Sequence, residues 1–441
     1  MAFDNEYADC LKKMFGLRRF GIKLGLDIIS GMLTGLGSPQ QQFRCIHIAG
    51  TNGKGSVAST LATILQTAGY RVGLYTSPHL VHFNERIQTN GQPISNESVV
   101  ASYLAVEKAH QGNREPTFFE FTTAMALYEF SRQQVDWAII ETGMGGRLDA
   151  TNVLRPNLSI ITNISLEHQS YLGNTLAAIA AEKGGIIKEG VPVITGAGQK
   201  PVIEVLTRIA QKKSAPLYRF GNAFRIRRHP DGTFTYYGLD QQWAKLRTGL
   251  KGEHQAKNAA LVLAACEVLN RLGLKLLFDH LQAGLLNTHW PGRLEIISES
   301  PLVILDGAHN LSAVRILSQY LAAHYADRNI TLVTGILDDK AYTPMLRQLL
   351  PLCKKAVFTQ PKIDRALPPE TFLTVAKEFI PSPEVIPSVP DAVAHAVQTA
   401  KKDEVICIAG SLYLVGEVKG AIEAGTLVLN PPNSQAITFP A

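Results

Sequence analysis

A glycine-rich stretch early in the chain has the residue types needed to hold the phosphates of a nucleotide. It consists of Gly50, Thr51, Asn52, Gly53, Lys54, Gly55 and Ser56. Glycines let the backbone curl so that successive N–H groups point inward, and a lysine here can reach the terminal phosphates. The Ser56 hydroxyl is placed to bind a Mg²⁺ ion that bridges those phosphates. Because the spacing differs from the usual GxxxxGK[ST] pattern, a glycine-rich turn without a ligand is the alternative interpretation.

A strand before this stretch and a helix after it would place the glycines at a strand-to-helix turn. Residues 43–49 alternate in polarity and are rich in apolar side chains, which predicts a short buried strand. Val57, Leu61 and Ile64 recur at helical spacing until Gly69 closes the run. The N-terminus of this helix would add a partial positive charge that favours bound phosphate.

Further candidates follow other predicted strands and helices. Glu141 ends an apolar strand, where its carboxylate is a natural ligand for the Mg²⁺ of a nucleotide, although it could instead pair with Arg147. His168 follows the strand predicted over residues 158–163, a position at which a histidine alone is more often a hydrogen-bonded structural residue. Lys183 lies near a predicted helix end, where it would ordinarily belong to a solvated face.

Polar residues later in the chain have the types expected around a nucleotide. Asn258 begins a predicted helix, and its amide could hydrogen-bond the edge of a base or lie on the helix surface. Arg293 follows a Pro-Gly turn and could neutralise the charge that develops on a transferred phosphoryl group. Asp306 follows the first strand of a second series, at a position where binding groups gather in such sheets. A hydrogen-bonded turn at a domain junction is the alternative for both Arg293 and Asp306.

The length and the alternation of elements predict two α/β domains. A chain of 441 residues is too long for one core when domains average about 150 residues. Strands alternate with helices along most of the chain, which indicates mostly parallel sheets covered by helices. We therefore predict a P-loop domain with a mostly parallel sheet over residues 1–297 and a smaller Rossmann-like α/β domain over residues 298–441. Residues 217–250 alternate in short stretches instead, which indicates an antiparallel hairpin or two.

Composition excludes several classes of function. The formal charge is +6, but lysine and arginine are scattered and no basic stripe is interleaved with aromatic residues. We therefore expect small anionic ligands and no nucleic acid. The five cysteines are far apart, which argues against a zinc site or a disulfide framework. Neither a signal pattern nor an apolar run of membrane-spanning length is present, so we expect a cytoplasmic protein with no membrane partner. We also expect a monomer.

A series of motifs along the chain resembles the folylpolyglutamate synthase and dihydrofolate synthase family, which belongs with the Mur-type amide ligases. The motifs are GTNGKGS (50–56), TSPHL (76–80) with ER (85–86), GMGGRLDATN (143–152), EK (182–183), GEHQAKN (252–258), PGR (291–293), DGAHN (306–310) and GSLY (410–413). The resemblance implies that ATP activates the carboxylate of a pteroate or folate as an acyl phosphate. The amine of L-glutamate then displaces phosphate to form an amide.

The resemblance also implies roles for individual residues. Ser56 and Glu141 would hold a first Mg²⁺, and Glu141, His168 and Lys183 would hold a second. Since a protonated lysine cannot bind a metal, Lys183 would be carbamylated by CO₂. Lys54, Arg293 and His309 would act in catalysis. Asn258 would contact adenine, Arg293 phosphate and Asp306 ribose. His309 and Ser411 would lie near glutamate, while Ser77, Pro78, His79, Arg86, Arg147 and Asp149 would face the pterin-bearing substrate.

The stretch from Arg147 to Asn152 looks more like family members that also make dihydrofolate, so we expect both activities in one enzyme. Folylpolyglutamate synthesis alone is the first alternative. A Mur-type ligase acting on a peptidoglycan precursor is another, although the loop at residues 77–79 argues against it. A third hypothesis, from a different class, is a regulator that hydrolyses a nucleotide to switch the binding of a partner.

Overall fold

The computed structural model describes residues 2–17, 21, 23, 25–112 and 114–429. The chain divides into two compact units. The first unit comprises Met1–Leu250 and His254–His289, and the second comprises Lys251–Glu253 and Trp290–Ala441. Each unit is built on a mostly parallel sheet, so the predicted α/β fold class is confirmed. Within the described part of the chain, no helix combines the length and apolar character needed to cross a bilayer.

Strands and helices alternate over the first two thirds of the chain. The strands are β1 (Arg44–Ala49), β2 (Val72–Tyr75), β3 (Ile87–Thr89), β4 (Gln92–Pro93), β5 (Trp137–Glu141), β6 (Leu158–Ile161), β7 (Val193–Thr195), β8 (Leu217–Arg219), β9 (Arg225–Arg228), β10 (Phe234–Tyr237) and β11 (Gln242–Leu246). The helices are α1 (Ala2–Gly16), α2 (Asp27–Gly35), α3 (Lys54–Thr67), α4 (Asn96–Ala109), α5 (Phe118–Arg132), α6 (Gln169–Leu172), α7 (Leu176–Gly184), α8 (Lys200–Lys212), α9 (Glu253–Arg271) and α10 (Phe278–Asn287).

The main sheet of the first unit has the strand order β4-β3-β2-β5-β1-β6-β7-β8. Strand β1 lies between β5 and β6 and runs parallel to both. Its residues after Arg44 are all buried, because helices cover both faces of a parallel sheet. The carboxyl ends of β1, β5 and β6 therefore meet at one sheet edge, which is where the candidate residues follow these strands.

A second, smaller sheet forms where the sequence pattern changes. Strands β9, β10 and β11 pair antiparallel in the order β11-β10-β9, as the alternating stretches predict. Strand β8 differs from that expectation, because it pairs parallel with β7 in the main sheet. Helix α8 lies between these two strands, and a strand-helix-strand crossover returns the chain parallel to the strand that it left.

The second unit contains a six-stranded sheet. Its elements are β12 (Glu295–Glu299), β13 (Leu302–Asp306), α11 (Leu311–Tyr325), β14 (Ile330–Thr334), α12 (Tyr342–Leu349), β15 (Lys355–Phe358), α13 (Leu373–Ala376), β16 (Glu384–Val385), α14 (Val389–Thr399), β17 (Val405–Ala409) and α15 (Leu412–Glu423). The strand order is β12-β13-β17-β14-β15-β16, and only β12 is antiparallel to its neighbour. The sequence reading missed β12, because this half-buried edge strand has no long apolar run.

Candidate functional site

The phosphate loop, residues 50–56, joins β1 to α3 as predicted. Gly53 precedes the helix with φ at 82°, a backbone conformation that favours glycine. In the part of the chain that the structure describes, no side chain caps the start of α3, whereas Ser95, Thr117 and Thr175 cap α4, α5 and α7. The first N–H groups of a helix have no partner within the helix, so those of α3 could donate to a bound phosphate.

The first residues of the phosphate loop are hydrogen-bonded to the residues that follow β6. The Thr51 N–H donates to the Asn163 carbonyl at 2.9 Å, and the Asn52 N–H donates to Asn163 Oδ1 at 3.0 Å. Asn163 Nδ2 and Thr162 Oγ1 both donate to the Asn52 carbonyl, at 2.9 and 2.7 Å. Sequence reasoning missed Thr162 and Asn163, although polar residues at the exit of a predicted strand were the available signal. These bonds hold the loop in shape without using its helix-side N–H groups.

Two lysines and one glutamate meet beneath the phosphate loop. Lys54 Nζ donates to the carbonyls of Gly50 and Thr51 at 3.1 and 3.3 Å, and it lies 3.8 Å from Glu141 Oε1. Lys183 Nζ also donates to the Gly50 carbonyl, at 2.8 Å. Three residues that the sequence assigns to nucleotide and metal are therefore brought together, with two amines on one carbonyl oxygen.

The environment of Lys183 favours its neutral amine. The residue is only 3% exposed, and burial lowers its pKa to about 7, with the positive charge of Lys54 acting in the same direction. The negative charges of Glu167, Asp149 and Glu141 act in the opposite direction. An amine with a pKa near 7 is substantially unprotonated at physiological pH, and the unprotonated form is the one that can react with CO₂.

Two side chains from α9 reach the phosphate loop. Gln255 Nε2 donates to Ser56 Oγ at 3.4 Å, and Asn258 Nδ2 donates to Gln255 Oε1 at 2.8 Å. Asn258 also lies against Gly53, where a methyl group would be 2.9 Å from its Oδ1. Sequence reasoning missed Gln255, which is buried and orients the hydroxyl of Ser56. No local pattern signals such a contact, since it joins residues 199 positions apart.

The donor set at this sheet edge fits a hard divalent cation. Carboxylate and hydroxyl oxygens, which Mg²⁺ prefers, are supplied by Glu141 and Ser56. His168 follows β6 with its Nε2 3.9 Å from Glu167 Oε1. Among the described residues, no three His, Cys, Asp or Glu side chains form a metal-binding group. A metal bound here would therefore need further oxygen ligands from the nucleotide, from water or from a modified Lys183.

The predicted substrate loop at residues 77–86 is held together by its own side chains. The Glu85 carboxylate accepts the N–H groups of Leu80, Val81 and His82 at 2.7 to 2.9 Å. Arg86 Nε donates to His79 Nδ1 at 2.7 Å, and its guanidinium lies over the Phe118 ring, 5.1 Å from the centroid. Arg86 is buried, so in this structure its charge is directed into the loop.

The backbone at Ser77 connects this loop to Glu141, because the Ser77 N–H donates to Glu141 Oε2 at 3.3 Å. The peptide bond between Ser77 and Pro78 is cis.

The second predicted substrate segment, residues 147–149, contains one outward and one inward side chain. Arg147 is half-exposed and pairs with Glu182, with 3.0 Å between Nη2 and Oε1, so it does not pair with Glu141. Asp149 is buried, and its carboxylate accepts from the Met144 N–H at 2.8 Å and from the Thr151 hydroxyl at 2.5 Å. Asp149 thus organises its own loop.

In the second unit, Arg293 and Asp306 both bond to the turn at residues 292–294. Arg293 Nη1 donates to the Gly292 carbonyl at 2.9 Å. The Asp306 carboxylate accepts the N–H groups of Leu294 and Ala308, each at 2.9 Å. Burial raises the pKa of the Asp306 carboxyl, and the charge of Arg293 acts against that rise.

Glu295 braces the same turn. One of its oxygens accepts the Gly292 N–H at 2.7 Å, and the other lies 2.6 Å from Lys419 Nζ. This pair was missed by sequence reasoning, since the two residues are 124 positions apart.

The remaining predicted residues of the second unit lie at helix starts. His309 Nδ1 donates to the Gly307 carbonyl at 2.8 Å, since a carbonyl can only accept. Asn310 caps α11, and Ser411 caps α15 by accepting the Leu414 N–H at 3.0 Å. Ser411 is buried, so its hydroxyl serves the first turn of its own helix.

Two protein-family models match the chain. Residues 48–266 match the Mur ligase middle domain, and residues 292–412 match the Mur ligase glutamate ligase domain. The chain is 37% identical over 431 residues to the dihydrofolate synthase/folylpolyglutamate synthase of Bacillus subtilis, covering 94% of this chain and 98% of that protein.

Solved structures of similar proteins share the fold over nearly the whole chain. The E. coli FolC structure in complex with DHPP and ADP has a TM-score of 0.88 and 31% identity, covering 95% of this chain and 98% of that one. A bifunctional folylpolyglutamate synthase/dihydrofolate synthase from Yersinia pestis, complexed with AMPPNP and Mn ion, has a TM-score of 0.85 and 32% identity at the same coverage.

Proposed function

This chain belongs to the dihydrofolate synthase/folylpolyglutamate synthase family, and we propose that it is an ATP-dependent ligase that joins L-glutamate to the carboxylate of dihydropteroate or of a folate. The observation that carries the proposal is the cluster under the phosphate loop. Lys54, Glu141 and Lys183 converge there beside the uncapped start of α3. Such an arrangement suits a triphosphate and its metal, and it matches the nucleotides named for the structures of similar proteins.

The reaction would proceed in two balanced steps. A carboxylate oxygen of the folate or pteroate attacks the γ-phosphorus of ATP, the bond from that phosphorus to the β–γ bridging oxygen breaks, and ADP leaves. The amine of glutamate then attacks the acyl carbon, phosphate leaves with the bonding electrons, and the nitrogen loses a proton to give the amide. One carboxylate oxygen of the substrate therefore ends in inorganic phosphate.

The chain's own residues would bind and orient the nucleotide. The N–H groups at the start of α3 would donate to phosphate oxygens, and the Lys54 amine would leave the Gly50 carbonyl to neutralise the terminal phosphates. Asn258, beside Gly53, would contact adenine. We assign Arg293 to the transferred phosphoryl group and Asp306 to ribose, on the strength of their motifs.

Divalent metal would be held by Ser56, Glu141, His168 and a carbamylated Lys183, in two sites that share Glu141. When bound, Mg²⁺ would withdraw charge from the phosphates and so favour phosphoryl transfer. Carbamylation is supported by the lowered pKa of Lys183, which leaves its amine partly neutral near pH 7. The carbamate would replace a cation with an anionic oxygen donor.

The remaining assignments follow the same motifs. We propose that the loops containing Ser77, Pro78, His79, Arg86, Arg147 and Asp149 shape the site for the pterin-bearing substrate. Residues 1–297 would form the ATP-binding domain and residues 298–441 the glutamate-side domain, in which His309 and Ser411 serve the amino acid. The compact units divide at residue 290 instead, so Arg293 and β12 lie in the second unit. We also propose a cytoplasmic monomer, for which the five free, buried cysteines give support. Light scattering of the purified protein would test its oligomeric state.

An isotope experiment tests the proposed chemistry directly. Dihydropteroate labelled with ¹⁸O in its carboxylate is incubated with ATP, Mg²⁺ and L-glutamate, and both dihydrofolate and phosphate are analysed by mass spectrometry. We expect dihydrofolate, together with one ¹⁸O atom in each phosphate released from labelled carboxylate. ATP hydrolysis independent of the pteroate, with no amide product, would instead favour a nucleotide-hydrolysing regulator.

Substrate choice separates the two activities. The expected bifunctional enzyme turns over both dihydropteroate and a reduced folate that already has one glutamate. Turnover of the folate alone would leave only the tail-lengthening activity.

A further inference from the structure

A buried hydrogen-bond chain runs from the central strand to the loop at residues 143–149. His47 lies on β1 and is completely buried. Its Nε2 is 2.7 Å from Thr151 Oγ1, which in turn donates to Asp149 Oδ1 at 2.5 Å. Asp149 Oδ2 then accepts the Met144 N–H at 2.8 Å. We name His47, Thr151 and Asp149 the β1 relay.

The direction of each bond in the β1 relay is fixed by proton count. The Thr151 hydroxyl has one hydrogen, which it donates to the Asp149 carboxylate, so His47 Nε2 must be the donor to Thr151. Complete burial lowers the pKa of His47 to about 3, which favours the neutral ring with its hydrogen on Nε2. Its Nδ1 has no hydrogen-bond partner among the described residues. A buried nitrogen without a hydrogen-bond partner is uncommon, because leaving it unpaired costs free energy in the folded state.

The loop that the β1 relay holds lies directly against the last turn of α7. The Arg147 N–H donates to the Glu182 carbonyl at 2.8 Å, and the Arg147 guanidinium pairs with the Glu182 carboxylate. A methyl group on Gly146 would be 2.8 Å from the carbonyl oxygens of both Glu182 and Lys183. On the other side of the contact, a methyl group on Gly185 would collide with Arg147. The two backbones are therefore in contact, and a displaced loop would move the turn that holds Lys183.

We propose that His47 and Thr151 are positioning residues which, through Asp149 and the 143–149 loop, fix the α7 turn so that Lys183 Nζ lies against the phosphate loop. Both ends of this path are on β1 or its continuation, since His47 lies three residues before Gly50, the residue whose carbonyl accepts Lys183. Lys183 is thus connected to β1 in two ways, directly through the Gly50 carbonyl and indirectly through the loop at residues 143–149. The proposal rests on the proposed function only in giving Lys183 a role in metal binding.

The test uses Thr151→Val, which removes the hydroxyl but keeps the shape, and Thr151→Ser, which keeps the hydroxyl. Thr331→Val, in a buried strand of the second unit, is the matched control for losing a buried threonine hydroxyl. Calorimetry measures the affinity for a non-hydrolysable ATP analogue with and without Mg²⁺. We expect Thr151→Val to reduce the Mg²⁺-dependent gain in affinity about 10- to 100-fold, the usual cost of disturbing a group that orients a metal ligand. Thr151→Ser and Thr331→Val should keep that gain.

A second readout needs neither nucleotide nor metal. Acetic anhydride labels amines, and the labelling rate of Lys183 is measured by peptide mass spectrometry in the full-length protein. Acetic anhydride should label Lys183 several-fold faster in Thr151→Val than in Thr151→Ser, because the β1 relay no longer fixes the α7 turn. If the wild type binds no nucleotide, the proposed function fails, and the labelling rates still decide the proposal.

Equal labelling rates and an equal Mg²⁺-dependent gain in Thr151→Val and Thr331→Val would overturn the proposal. If Thr151→Val does not fold, His47→Gln and His47→Met replace it. Glutamine retains an N–H donor for Thr151 and methionine does not, so we expect the methionine variant alone to label faster. Identical rates in these two variants would equally overturn the proposal.

Discussion

The candidate residues of the two units differ in the protein groups to which they bond. In the first unit, the amines of Lys54 and Lys183 both donate to the Gly50 carbonyl, and Glu141 lies beside Lys54. In the second unit, Asp306 and Ser411 accept N–H groups from the turns and helix starts that contain them. The first unit thus brings two amines and a carboxylate together at one point, whereas Asp306 and Ser411 in the second unit bond to their own backbone.

This difference indicates how each unit would contribute to catalysis. An amine that donates to carbonyl oxygens can exchange such a bond for one to a phosphate, because the contact between two charged groups is the stronger one. The Asp306 carboxylate accepts two backbone N–H groups and the Ser411 hydroxyl accepts one, and such groups would have to give up these bonds before they could bind a ligand. We therefore expect substitutions in the first unit to act on chemistry, and those in the second to act partly through the shape of a turn.

Lys183→Ala should give the largest effect. The change removes a buried amine and any carbamate formed on it, so the second metal site would lose an anionic ligand. We expect ligase activity to fall by at least about 10³-fold, at the upper end for removal of one group that stabilises the transition state. A coupled-enzyme assay of ADP release would measure the loss of activity. Lys212→Ala, an exposed lysine on α8, is the control, and near-normal activity of Lys183→Ala would show that the amine is not a ligand.

Arg293→Ala should have the next largest effect. Arg293 is the arginine among the predicted catalytic residues, and it lies in the second unit. We expect kcat to fall about 10²-fold if the guanidinium neutralises phosphoryl charge. Arg315→Ala, on the exposed face of α11, is the control. If Arg293→Ala were less stable but had an unchanged kcat, the role of Arg293 would be structural only. The candidate residues of the second unit would then differ from those of the first in having no part in the chemistry.

Local sequence pattern predicted the parts of the site that are local in the fold. The strand at residues 43–49, the glycine turn and the helix after it are present as β1, the phosphate loop and α3. The positions of Glu141 and Lys54 at one edge also followed, because parallel strands end together.

Contacts between distant residues could not be predicted in this way. Gln255 reaches Ser56 across 199 positions, and His47 reaches Thr151 across 104. Periodicity shows which face a residue is on, and it does not show which distant side chain lies there. The inward orientation of Asp149 has the same origin, because its partners are the N–H groups of a loop whose shape no periodic pattern describes.

A smaller effect concerns the stability of the first unit at low pH, which should depend on His47. Burial lowers the pKa of His47 to about 3, whereas the unfolded chain would titrate near the ordinary 6.5. Between these values the unfolded state binds more protons, so the contribution to stability is complete above pH 6.5 and is lost as the pH falls toward 3. As the pH decreases from 6.5 toward 3, we expect the free energy of unfolding of the wild type to fall more steeply than that of His47→Gln. The difference should be up to about 1.4 kcal/mol for each pH unit. Urea unfolding at several pH values would measure this, and parallel curves would contradict it.

Ser411→Ala should give the smallest effect and tests a residue of the second unit whose hydroxyl bonds to its own helix. The hydroxyl accepts the Leu414 N–H at 3.0 Å, so its loss should cost about 1 kcal/mol of stability, as for other helix caps. Ser411→Asn provides the matched variant, because asparagine caps helices well but places its polar group differently. If the KM for glutamate rises in the alanine variant and recovers in the asparagine variant, Ser411 acts through the first turn of α15. A KM that rises in both variants would mean that the substrate needs the hydroxyl itself, and the second unit would then resemble the first in offering a side chain directly to its ligand.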